Sequence, residues 1–196
     1  MRKVTLAVLF FLLLSIHAFG SAITYTQTVT GTGVFADHNF NSALVTLTFT
    51  GDTANVTPLG SCCLQNIVGI MTVDVQGIGS GTFTDASMGA VVNPSNEAAG
   101  MSDFTRNLAV LFTLNPVFST YDLASSIGPY SGGASINSTI AFATTIGNFQ
   151  LNSADGDATF TAVTNGSAPV PEPSSLMLFG SSLAGFAGMF RRKLSR

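Results

Sequence analysis

The chain has 196 residues, 46% of them hydrophobic and only 9% charged, with a formal net charge of −3. Six of its seven basic residues sit at the two ends, Arg2 and Lys3 at one and Arg191, Arg192, Lys193 and Arg196 at the other. In the body between them, residues 23–164, Arg106 stands alone against nine acidic residues, a body charge of −8. Phosphate backbones repel such a surface, which excludes nucleic acid as a partner and leaves cations or neutral, hydroxyl-rich polymers as compatible ones.

Met1-Arg2-Lys3 is a positive n-region, Val4 to Ile16 is an apolar run, and small residues follow at Ala18, Gly20 and Ala22. That order predicts a secretory signal peptide over 1–22, handled by the general secretory translocon and signal peptidase, with cleavage after Gly20 or Ala22. The body from 23 to 164 is long enough for one domain with a sizeable core. It contains no apolar run of membrane-spanning length.

Within the body, Thr24 to Val34 alternates threonine with other β-formers and predicts a half-exposed strand. Ser42 to Thr50 has a cleaner period of two, with Leu44, Thr46, Thr48 and Thr50 on one face and Ala43, Val45, Leu47 and Phe49 on the other; Gly51-Asp52 then reads as a turn. Ile67 to Gln76 predicts a further strand, punctuated by Gly77, Gly79 and Gly81. Ala86 to Gly100, with Asn93-Pro94 and many small residues, reads as a loop. Asn107 to Leu114 is the most continuous apolar run and predicts a strand buried on both faces, ended by Asn115-Pro116. Ile127 to Gly133 reads as loop or turn. Ser138 to Thr145 and Ala158 to Thr164 return to strand patterning around a turn at 152–157. No amphipathic helix stands out, so the fold class is mainly β, an antiparallel β-sandwich of jelly-roll type.

The chemistry the body can carry is narrow. His38 is its only histidine, so no multi-histidine zinc site can be assembled, and no Gly-x-Ser-x-Gly elbow is present. His38 beside Asp37 reads as a surface pair, and Gly31-x-Gly33-x-x-Ala36, a loosened dinucleotide fingerprint, reads as a turn because no βαβ unit surrounds it. Asp155-Gly156-Asp157 is either a hairpin turn or two ligands of a structural calcium; no other cofactor is expected. Adjacent Cys62 and Cys63 suit a vicinal disulfide in an exported chain, with a redox switch, a soft-metal site, an intermolecular cross-link and two reduced thiols as the alternatives. The Asn-x-Ser/Thr sequons at Asn55, Asn137 and Asn165 support no site assignment. No catalytic residues are assigned, and the body is not expected to be an enzyme.

The C-terminus is organised differently. Pro171-Glu172-Pro173 lies in a linker over 165–173, its prolines favouring an extended, accessible chain. Ser174 to Phe190 is an uncharged run that makes a helix of roughly 25 Å, at the short limit for a hydrocarbon core of about 30 Å. The basic tail, 191–196, follows. Arg191, Arg192 and Lys193 would stay cytoplasmic and hold the helix in the membrane, with everything before Pro171 outside.

A Val-Pro-Glu-Pro-Ser core, a Leu/Gly/Ala/Phe-rich helix and an arginine-rich end, in that order, resemble the PEP-CTERM sorting signal of exported proteins in Gram-negative bacteria. The resemblance implies recognition of Pro171, Glu172 and Pro173 by an exosortase, a membrane-embedded transpeptidase-like enzyme, with Leu176 to Phe190 as the membrane stop. Processing near the motif would then pass the protein to the cell surface or an extracellular matrix. The expected function is therefore that of an exported structural protein. The alternatives are a carbohydrate-binding or adhesive module, with extracellular polysaccharide as partner, and a secreted hydrolase.

Overall fold

The structure of the protein, a computed structural model, describes residues 20–137 and 140–165. The expected signal peptide, apart from its last three residues, lies outside the described residues, as do the PEP triplet, the helix at 174–190 and the basic tail.

The body is mainly β and antiparallel. β1 (Ala22–Phe35) and β2 (His38–Asp52) form a long hairpin. Ala36 and Asp37 close it with φ of 49° and 64°, the left-handed pair that lets a two-residue turn follow the twist of its strands. Along β1 the burial alternates: Ile23, Tyr25, Gln27 and Val29 point inward while the threonines between them point out. β2 does the same with Val45, Leu47 and Phe49 inside, and it runs through Gly51 and Asp52 instead of turning there.

The chain continues through β3 (Val56–Leu59), β4 (Cys63–Asn66), β5 (Gly69–Val75), β6 (Gly79–Thr82), β7 (Met88–Asn93), β8 (Ala98–Asp103), β9 (Leu108–Leu114), β10 (Ile127–Ile136), β11 (Phe142–Thr144), β12 (Gly147–Ala154) and β13 (Ala158–Thr164). Three short 3-10 turns join them, each started by an Asx side chain. Asp52, Asn93 and Asn115 accept hydrogen bonds from the backbone N–H groups of Ala54, Asn96 and Val117.

The strands share one hydrogen-bonded order, β3-β4-β7-β8-β9-β10-β13-β1-β2-β5-β6, with β12 on the far half of β1 and β11 beside β12. β10 is the corner. Its first half pairs with β13 and its second half, from Gly133, pairs with β9. A Cβ on Gly132 would meet the Leu114 carbonyl oxygen at 1.9 Å, so glycine is required where the strand changes partner. Strands far apart in this order face each other across the core. Gln27 of β1 donates through Nε2 to Thr113 Oγ1 of β9 at 3.1 Å, and Asn66 of β4 donates to the Tyr25 hydroxyl at 3.2 Å. Two groups of aromatic contacts fill the interior, one around Phe35, Phe83 and Phe149 and one around Tyr25, Phe118 and Phe160.

Several expectations are corrected. The stretch 86–100 is no loop: it holds β7 and the start of β8, a hairpin whose residues are almost all buried. Small residues mislead here because they serve close backbone approach, and a Cβ at Gly89 or Gly100 would fall 2.3 Å or 2.1 Å from a neighbouring carbonyl oxygen. Strands buried on both faces are thus β7 and β8, whereas β9 buries Val110, Leu111 and Thr113 but exposes Leu114. Ile127 to Gly133, expected as loop, opens β10, with a bulge between Ile127 and Tyr130 around the Gly128-Pro129 pair. Gly79 and Gly81 are part of a strand, β6. Gly31 and Gly33, read as a turn, lie inside β1 at its register shift, where β12 carbonyls pass within 2.5 Å of where their Cβ atoms would be.

Candidate functional site

The two ends of the body leave it side by side. Ile23 pairs with Thr164, Asn165 N–H donates to the Ala22 carbonyl at 2.9 Å, and Thr164 N–H donates to Ser126 Oγ. At the same place Ser21 and Thr53 exchange hydrogen bonds, Ser21 N–H to Thr53 Oγ1 and Thr53 N–H to the Ser21 carbonyl, each at 2.9 Å. The end of the body at Thr164 and Asn165 is therefore anchored to the first strand.

Cys62 and Cys63 sit at the start of β4, in the hairpin that joins it to β3. Their sulfurs are bonded to each other, with the Cα atoms 3.7 Å apart. Cys62 is exposed and Cys63 half-buried. The pair lies next to the sheet edge, since β3 is the last strand on that side.

Asp155 and Asp157 belong to the turn between β12 and β13. The Asp155 carboxylate accepts from Ser42 Oγ at 2.8 Å and from Ser153 Oγ at 3.5 Å, so β1-β2 and β12 converge on it; Asp157 is exposed. Among the described residues no three of His, Cys, Asp and Glu gather as metal ligands. His38 is exposed beside the β1-β2 turn, opposite Phe35.

Only one ion pair is formed among the described residues, and residue types alone did not flag it. Arg106 Nε donates to Asp103 Oδ2 at 2.6 Å, with Asp103 fully buried. The guanidinium lies 4.9 Å from the Phe142 ring centroid and donates to the Ala141 carbonyl, tying the β8-β9 turn to β11. Ser87 Oγ donates to both Asp85 and Asp103, and those bonds from its backbone and hydroxyl hold the Asp85 carboxyl below its ordinary pKa. The available signal was that Arg106 is the sole cation of the body. Asp122 is a second turn-former: burial opposes its ionisation, but bonds from Ser125 and from the Ala124 N–H outweigh that and lower its pKa.

The geometry assembles turn locks and a buried polar seam. In that seam Tyr25, Asn66 and Gln27 meet the backbone at Leu123, Asp52 and Ala99. Among the described residues, Gln27 Oε1 and Asn66 Oδ1 are buried without a hydrogen-bond partner. Asp85, Asp103, Asp122 and Asp155 each accept hydrogen bonds in or beside a turn.

Among known protein families, the model of the PEP-CTERM protein-sorting motif matches residues 169–193 of the chain. Pro171, Glu172, Pro173, Arg191, Arg192 and Lys193 all fall within that match. The chain thus carries a PEP-CTERM sorting signal, the element that directs exosortase-dependent export to the cell surface. Neither the curated proteins nor the solved structures contain a match to it.

Proposed function

We propose that the protein is an exported structural component of the cell surface or extracellular matrix, its body a jelly-roll-like β-sandwich that is freed from a membrane helix at the PEP-CTERM motif. The observation that carries this reading is the motif at 169–193, which follows directly on a body whose last strand ends at Thr164. In this account Ser174 to Phe190 crosses the inner membrane, Arg191, Arg192 and Lys193 hold the tail on the cytoplasmic side, and an exosortase cuts near Pro171-Glu172-Pro173.

Signal peptidase acts earlier, after Gly20. Cleavage after Ala22 would remove Ser21, which bonds twice to Thr53, and would cut into β1, where Ala22 pairs with Asp52. Cleavage after Gly20 leaves both intact. A structural role is supported by the body's use of its polar groups, since Asp85, Asp103, Asp122 and Asp155 each brace a turn.

The test is fractionation of the native host with the exosortase gene present or deleted. Loss of the surface-borne form, with the chain accumulating in the membrane, supports the proposal. Unchanged surface delivery in the deletion strain contradicts it.

A further inference from the structure

We infer that the outward face of the β1-β2 hairpin is an ice-binding surface. On the side turned away from the core, β1 presents Thr24, Thr26 and Thr28, and β2 presents Thr50, Thr48 and Thr46 as their paired residues. The block is a double file of threonines, with a repeat of about 4.8 Å between strands and about 6.8 Å along them. Thr161 of β13 and Thr72 of β5 continue the middle row on either side.

Three properties of the block point to ordered water as the occupant. Its six hydroxyls engage in no hydrogen bond among the described residues, and no charged side chain stands within the double file, though Asp74 of β5, paired with Thr46, borders it. Threonine is stiff at χ1, so the hydroxyls and methyls form a fixed array that loses little entropy on binding. The rectangular repeat is close to that of water oxygens on the prism face of ice. Each methyl can seat in the surface lattice while its hydroxyl replaces one water in the hydrogen-bond network.

A soluble sugar is a poorer fit, because the block offers neither an aromatic ring to stack on nor a long polar side chain to reach a ring hydroxyl. Sheet twist of about 20–25° per strand confines the lattice match to adjacent strands, so the double file carries the binding and Thr72 and Thr161 matter less. The inference stands on this sheet face and does not depend on where the protein is delivered.

The experiment grows ice slowly into a solution of the full-length protein and compares protein in the ice with protein left in the liquid. The measurement is repeated for Thr48→Tyr, for Thr26→Lys, and for Thr105→Tyr, which alters an exposed turn elsewhere. Melting curves identify any variant that fails to fold. Enrichment in ice for the wild type and Thr105→Tyr, lost in either folded double-file variant, is the expected result. Exclusion of the wild type from ice overturns the inference, as does equal enrichment of the folded double-file variants. Retention of the wild type on an insoluble neutral polysaccharide, without partition into ice, overturns it in favour of a polymer ligand.

Discussion

The hydroxyl of Tyr25 donates to the Leu123 carbonyl at 2.6 Å across a sequence separation of 98 residues, and it also accepts from Asn66 Nδ2. The ring is fully buried against Phe49 and Phe160, so one side chain ties β1, β4 and the segment before β10 together. Tyr25→Phe keeps the packing and leaves the Leu123 carbonyl without its donor. We expect a loss of about 1–3 kcal/mol in denaturant unfolding with an unchanged m-value. A loss below a few tenths would mean that water replaces the bond.

Alkali should unfold the body through the same region. Burial pushes Tyr25 up to about 12 and moves Tyr121 further the same way, whereas an unfolded tyrosine ionises near about 10. In the interval between, the unfolded chain has lost protons that the native one keeps. Stability is therefore complete below the unfolded value and falls as pH rises through the interval. Phenolate absorbance and loss of near-ultraviolet circular dichroism should rise together for these residues; ionisation of both buried rings in a still-folded protein would contradict the assignment.

Two glycines separate tight packing from open space. A methyl at Gly100 would lie 2.1 Å from the Leu111 carbonyl oxygen, in backbone that cannot yield cheaply, whereas at Gly156 nothing lies within 4 Å. Gly100→Ala should cost about 1–3 kcal/mol or more, and Gly156→Ala should stay within about 0.5 kcal/mol of wild type. Thermal melts of the two variants check this directly.

Arg106 offers a charge test. Replacing it with Gln leaves Asp103 fully buried without its cation. Breaking a fully buried pair costs about 3–5 kcal/mol, and the partial exposure of Arg106 lowers the expectation to about 1–3 kcal/mol. Asp103→Asn with Arg106→Gln should recover part of the loss in a double-mutant cycle, and strict additivity would show that the two do not interact.

What was legible in the sequence followed from which physical signal each segment carries. β1, β2 and β13 bury one face, so Tyr25, Val45 and Phe160 alternate with threonines and the period of two is visible. β7 and β8 have no wet face, and backbone passes close to Gly89 and Gly100, so a run of small residues imitates a loop. β10 hid for a different reason: its Gly-Pro bulge and Gly132-Gly133 corner are turn chemistry placed inside a strand. The sorting signal was legible because its order of proline triplet, apolar run and cationic end is local. The Arg106-Asp103-Phe142 clamp depends on which turn meets which strand, and no local pattern encodes that.

The most direct test of the account is the intact mass of the protein recovered from the surface or medium of its native host, set beside the membrane-bound form. The account predicts a chain that begins at Ser21, ends close to Pro171-Glu172-Pro173, and is two hydrogens lighter than its thiol form because Cys62 and Cys63 are joined. A mature form that retains Arg196 and stays in the membrane would contradict the account and leave a simple tail anchor in its place.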